Sequence, residues 1–276
     1  MTSTERVDPA AAGPEPGSVA FLAAYHAEAR RRTEAVQARF AHELDLSYGA
    51  HERQRLDLYL PDGKPAGPVL VFLHGGGFRT GDHRMVGYHG LPYLEAGAVV
   101  ASMSYRLLPE VRFPDMAADV EAGLNWLQST LPARGADPSR VYLSGHSAGA
   151  TLAALAALRP VDQEAPDHVR GLVAISGGYA FARRPDDETD RASRHYVDHL
   201  AGAIERVPDH TIVVWSDDDL PFCAPDGEAL VEALRAAGGS VEHHLERGAD
   251  HYRANQSFVE PDGEVALATK AMMGLR

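Results

Sequence analysis

Val141-Tyr142-Leu143-Ser144-Gly145-His146-Ser147-Ala148-Gly149, continuing through Ala150-Thr151-Leu152-Ala153-Ala154-Leu155-Ala156-Ala157-Leu158, decides the fold. Its first part is an apolar run fit for a strand buried on both faces. Its last part is Ala- and Leu-rich, as a buried helix is. Between them stands Gly-x-Ser-x-Gly. That bare pattern recurs by chance, and a tight turn with an incidental serine is the plainer reading. The strand before it and the helix after it give it weight, because a serine nucleophile on a sharp strand-to-helix turn needs that setting. The glycines permit the cramped turn, and the hydroxyl emerges at a helix N-terminus. The stretch is uncharged and long enough to raise a membrane span. Ser144, Gly145, His146, Ser147 and Gly149 in its middle argue for a strand turning into a helix instead.

The same rhythm extends outward. Val69–Leu73, Ala98–Met103, Gly171–Ile175, Thr211–Trp215 and Ser240–Leu245 are further strand candidates, and Arg55–Leu60 alternates polar and apolar residues as a half-buried strand does. Met116, Val120, Leu124 and Leu127 fall on one helix face, and Glu228–Ala237 also reads as helix. Strands alternating with helices predict an α/β fold with a mostly parallel sheet covered on both sides. Residues 1–17 read as a disordered arm, 18–276 as one domain, 18–43 as a helical segment, and 178–202 as an irregular charged excursion.

Directly after the first buried run comes His74-Gly75-Gly76-Gly77-Phe78. Three glycines let a backbone approach a ligand and present N–H donors, which in acyl transfer hold the developing oxyanion. A phosphate loop would need Gly-Lys-Ser/Thr, and a dinucleotide fingerprint a further glycine where Thr80 stands. A serine nucleophile needs a base and an acid, in the order Ser, acid, His on this type of sheet. His251, in Gly248-Ala249-Asp250-His251-Tyr252 after the last strand, is the best base. The acid should follow Thr211–Trp215, where Asp217, Asp218 and Asp219 all qualify. His195 and His199 have the i, i+4 spacing of metal ligands but lack the intervening Glu of a zinc motif. His243-His244 reads as one side chain in and one out. Cys223 has no recognisable catalytic setting.

Composition narrows the partners. Lys plus Arg number 26 against 39 Asp plus Glu, a formal net charge of −13, which disfavours nucleic acid and anionic membrane surfaces. A single cysteine excludes an internal disulfide framework and a multi-thiolate metal site. No secretory signal is visible in Met1–Arg32, so a cytoplasmic location is expected.

Taken together, His74–Phe78, Tyr105-Arg106-Leu107-Leu108-Pro109-Glu110 with Phe113-Pro114, Asp137-Pro138-Ser139-Arg140, Gly145–Gly149 and Asp250-His251 resemble the α/β-hydrolase superfamily. The branch is that of hormone-sensitive-lipase-like and feruloyl-esterase-like carboxylesterases, with kynurenine formamidases nearby. The resemblance covers most of residues 55–260. It implies a sheet of about eight strands and a catalytic triad of Ser147, Asp219 and His251. Asp219 is chosen because family members place the acid just before a proline, here Pro221. The implied oxyanion donors are the N–H groups of Gly76, Gly77 and Ala148, with Tyr105–Pro114 as a structural buttress. Two departures stand out: Leu108 replaces a small residue, and Ser216-Asp217-Asp218 precedes the acid where glycine is common. In relatives a segment like 18–43 can cover the pocket as a lid. The implied activity is serine carboxylic ester hydrolysis of small to medium acyl esters, needing no cofactor or metal. The expected partner is a small-molecule ester or amide, with homodimer formation left open. Arylformamidase activity is the narrower alternative, since Asp219-Leu220-Pro221-Phe222 resembles that group's acid loop. The other alternative is a non-catalytic ligand-binding protein on this fold, usually marked by loss of the serine or histidine, both present here.

Overall fold

Within each apolar run successive side chains point to opposite faces, and both faces find a core. Val69, Val71 and Leu73 join one cluster, while Leu70 and Phe72 join the other. Val99, Ala101 and Met103 oppose Ala98 and Val100 in the same way. The computed structural model describes residues 15, 17–63, 67–158, 169–179 and 204–276. Its strands are β1 (Ala41–Ser47), β2 (Arg55–Leu60), β3 (Val69–Leu73), β4 (Val99–Met103), β5 (Val141–His146), β6 (Val169–Ile175), β7 (His210–Asp218) and β8 (Val241–Asp250). They form one eight-stranded sheet in the order β1-β2-β4-β3-β5-β6-β7-β8. The β1–β2 and β2–β4 pairs are antiparallel, and every other pair is parallel.

The longer described helices are α1 (Val19–Arg39), α2 (Leu91–Glu95), α3 (Phe113–Thr130), α4 (Ala148–Leu158), α5 (Cys223–Ala236), α6 (Gln256–Val259) and α7 (Glu264–Met272). Buried residues of α3, α4 and α5 pack on one face of the sheet; those of α1, α2, α6 and α7 pack on the other. The strand order reverses around β3, which has β4 on one side and β5 on the other. Ligand crevices in open α/β sheets form outside the strand C-termini at such a point. In register, Leu73 lies opposite Gly145, and Ile175 opposite both His146 and Val214. Hence His74, Ser147 and Ser176, each one step past its strand, emerge along one sheet edge.

Three boundaries differ from the sequence reading. The segment 18–43 is not helical throughout: Phe40 turns extended at φ −112° and the chain enters β1 at Ala41. Helix α5 begins at Cys223 rather than Glu228, because Pro225 falls in the first turn, where a missing N–H costs little. Strand β8 runs on to Asp250 through a bulge in which Gly248 takes φ +67° and donates its N–H to the Asp217 carboxylate. The proposed excursion 178–202 and the His195/His199 pair lie almost wholly outside the described residues, as does most of the 1–17 arm.

His74, His89 and His146 are buried near this edge. Burial pushes His74 down to about 4. Burial and then the nearby His251 push His146 down to about 3, and burial also holds His89 well below the usual range. All three fold as neutral imidazoles. Below about pH 6.5 the unfolded chain takes up protons that the folded chain refuses, so stability falls as pH falls. Between pH 7 and pH 5, His74 and His146 should each remove about 2 kcal/mol. Denaturant unfolding at the two pH values should show a loss of at least about 4 kcal/mol, with His89 adding to it, that shrinks markedly in His146→Asn. A pH-independent unfolding free energy would contradict the neutral burial.

Candidate active site

Ser147 sits at φ +55°, a left-handed conformation that costs an L-residue strain and recurs at functional turns. Its neighbours show why the sequence bends there. A Cβ on Gly149 would stand 2.2 Å from the Leu73 carbonyl oxygen, and one on Gly145 would stand 2.5 Å from the Gly149 backbone. Only glycine at both positions lets β5 turn directly into α4 against β3. The Ser147 N–H donates to the Ile175 carbonyl at 2.8 Å, which ties the turn to β6.

His251 follows β8 and reaches Ser147 from the other end of the chain. Its Nε2 is 2.9 Å from Ser147 Oγ, and its Nδ1 is 2.6 Å from Asp219 Oδ1. Asp219 follows β7. Its Oδ2 accepts from Ser176 Oγ at 2.5 Å and from the Ser216 N–H at 3.1 Å, and its Oδ1 accepts from the Leu220 N–H at 2.8 Å. Burial raises the Asp219 carboxyl, but the hydrogen bonds from His251, Ser176 and Ser216 outweigh it and hold it well below the usual carboxylate range. The two rival carboxylates are placed elsewhere: Asp217 caps the β8 bulge, and Asp218 is exposed opposite Asp250. An ionised Asp219 holds a proton on Nδ1 of His251, which leaves Nε2 to accept from Ser147.

A cavity of about 420 Å³ opens on Ser147 and His251. Gly75, Gly76 and Gly77 line it, with Gly76 at φ +125° and Gly77 at φ +60°. A Cβ on Gly75 would touch the Ser147 Cβ at 3.2 Å, while one on Gly77 would meet nothing within 4 Å. Ala148 is buried as the first residue of α4, where N–H groups have no intrahelical partner. Behind the glycines, the Tyr105 ring stacks on His74 at 4.5 Å and its hydroxyl donates to the His74 carbonyl at 2.7 Å. Arg106 in turn grips the buried Asp119 of α3 at 2.7 Å. Helix α1 forms a wall of the cavity through Leu22, Tyr25, His26 and Ala29.

Three neighbours of the site carry no motif of their own. His146 donates from Nε2 to the His251 carbonyl at 2.8 Å and so holds the histidine loop. Ser176 is visible only as the residue after a strand run. Cys223 is buried, with Sγ 4.0 Å from His251 Nδ1 and donating to the Ser176 carbonyl. Asp219, Cys223 and His251 bring an oxygen, a sulfur and a nitrogen within 4.8 Å of one another, the one such group among the described residues. With Nδ1 held 2.6 Å from Asp219, a divalent ion would have to displace that hydrogen bond. His243 is exposed and stacked on Trp215 at 5.2 Å, away from the cavity lining. Among the described residues, no helix is long and apolar enough to cross a membrane.

The sequence profile of the alpha/beta hydrolase fold matches residues 70–203. Isoprenylcysteine alpha-carbonyl methylesterase of Arabidopsis thaliana is 27% identical over 236 residues, covering 75% of this chain and 55% of the relative. The chain thus spans about half the length of that relative. Kynurenine formamidase of Danio rerio is 26% identical over 243 residues, covering 83% and 80%. Among solved structures, an inhibited esterase B from Lactobacillus rhamnosis superposes with a TM-score of 0.69 at 23% identity, covering 91% and 96%. The sheet order, the elbow at Ser147 and the profile match agree, and the chain has the alpha/beta hydrolase fold.

Proposed function

We propose that the protein is a serine hydrolase of carboxylic esters. The observation that carries this reading is the unbroken chain from Ser147 Oγ through His251 to Asp219, at 2.9 and 2.6 Å, opening on the 420 Å³ cavity. Ser147 attacks the acyl carbonyl while His251 Nε2 takes its proton. Asp219 stays ionised, keeps the imidazole in the required tautomer and stabilises the imidazolium. The negative charge on the tetrahedral oxygen forms against the N–H groups of Gly76, Gly77 and Ala148. Collapse expels the alcohol, which receives the proton from His251. Water, activated by the same imidazole, then attacks the acyl-serine and releases the acid. Helix α1 acts as a lid over the cavity it walls.

Ser147→Ala should leave a folded protein whose hydrolysis of an activated aryl ester is down by several orders of magnitude. Asp219→Asn should lose roughly 10⁴ in kcat by trapping the wrong tautomer. Asp217→Asn and Asp218→Asn should cost far less. Crippling by either of those two, with Asp219→Asn active, would move the acid.

The formamidase reading is favoured by the similarity to the zebrafish enzyme over 83% of this chain. Gly77 weighs against it. A Cβ at Gly77 would meet nothing within 4 Å, so the space beside the glycine loop is open. That space suits an acyl group larger than formyl. A panel of aryl esters of rising acyl length, compared with N-formylkynurenine by kcat/KM, should favour the esters. The margin should be modest, because one methylene in an apolar pocket is worth only about 1–3 kcal/mol. A formyl amide that outruns every ester would reverse the assignment.

A further inference from the structure

A second cavity, of about 250 Å³, adjoins the first and shares Tyr25, Ala29, Tyr88 and Tyr252 with it. One face of α1 serves both: Leu22 and His26 face the first, Tyr25 and Ala29 face both, and Arg32 faces the second. Tyr25, Tyr88 and Tyr252 line both cavities and Asn255 lines the second, so the boundary between them carries polar groups. Arg32 lays its guanidinium over the Tyr88 ring at 4.5 Å, which fixes the side chain without using its N–H donors. Its nearest carboxylate, on Glu260, stands 3.7 Å away, beyond hydrogen-bond range, on a side chain 54% exposed. Glu28, also in the lining, is already held by Arg31 through two hydrogen bonds of 2.6 and 2.8 Å. A pre-positioned guanidinium fork that makes one loose ion pair and no hydrogen bond among the described residues can receive a planar anion.

Resting on the hydrolase reading above, we infer that this cavity takes a carboxylate at the end of the substrate remote from the scissile ester, bound by Arg32. Along α1 the two linings are offset: from His26, in the first cavity, to Arg32, in the second, is six residues, about 9 Å along the axis at 1.5 Å per residue. The enzyme would then prefer half-esters of dicarboxylic acids, or esters of hydroxy-acids, over neutral esters of equal length. The chain's net charge of −13 works against any general attraction for anions, so such a preference points to a local site.

The test uses matched substrate pairs. One arm sets 4-nitrophenyl monoesters of dicarboxylic acids of increasing length against 4-nitrophenyl alkanoates of equal length, placing the charge on the acyl side. The other sets acetyl esters of hydroxyphenyl-alkanoic acids against the corresponding primary amides, placing it on the alcohol side. The readout is the charged-to-neutral ratio of kcat/KM. In the wild type one arm should reach tenfold or more at one chain length and less at shorter ones. In Arg32→Met the ratio should fall to about one, and Arg32→Lys should keep part of it. Arg32→Gln serves the same purpose if the Met variant does not fold. A wild-type ratio at or below one in both arms, with neutral esters turned over, overturns this inference alone. So does a ratio unchanged by loss of the guanidinium. Absence of turnover for every ester in both arms overturns it together with the hydrolase reading.

Discussion

The structure depends on a backbone contact that leaves no room for a side chain. Helix α4 starts so close to β3 that a methyl group on Gly149 would overlap the Leu73 carbonyl at 2.2 Å. This approach makes the turn between β5 and α4 short enough to force Ser147 to φ +55°. Strain of that size, of order 1–3 kcal/mol, persists only where the surroundings over-determine it. Here the Ile175 carbonyl holds the Ser147 N–H, and a fully buried α4 holds the other side. The parallel register of β3, β5, β6, β7 and β8 then brings His74, Ser147, Ser176, Asp219 and His251 to the same end of the sheet. Residues far apart in sequence meet because five strands end together.

Around that edge, burial and hydrogen bonding assign protonation states. Asp219 gathers donors from three directions, so its charge survives partial burial. For His146 and His74 burial outweighs the nearby Asp219 and Asp82, so they stay neutral, serving as hydrogen-bonding spacers behind His251 and the glycine loop. In the proposed chemistry, this division leaves His251 as the only histidine of the cavity with a hydroxyl on one nitrogen and a carboxylate on the other among the described residues. The wall opposite this machinery comes from α1, whose Tyr25 packs against Tyr252 with ring centroids 5.6 Å apart.

The sheet was legible because doubly buried strands write themselves as solid apolar runs. Val69–Leu73 and Gly171–Ile175 match the observed strands closely. The ends were harder. The expected strand Ser240–Leu245 overlaps the start of β8 at Val241–Leu245, while the continuation of β8 to Asp250 passes through charged residues and a glycine bulge that no periodicity marks. Ser147 and His251 stood out by motif and chain order, and the structure brings them to 2.9 Å. Three adjacent aspartates were equivalent by composition. What separates them is geometry: one caps a bulge, one is exposed, and one meets the ring. His146 and Ser176 act through a backbone carbonyl and through Asp219, and such contacts leave no local signature. The cavity walls were illegible for a related reason, since α1 carries only a weak apolar stripe and its tyrosines acquire meaning from Tyr88 and Tyr252, far along the chain.

The central claim is that Ser147 is activated by His251 in a cavity open to substrate. An alkyl phosphonate ester that reacts only with activated serines tests it directly, read by intact mass and peptide mapping. The account predicts one adduct per chain, on Ser147, formed slowly or not at all in His251→Asn and in Asp219→Asn. No adduct on the folded wild-type protein, or an adduct on Ser147 whose rate is indifferent to loss of His251, would contradict it.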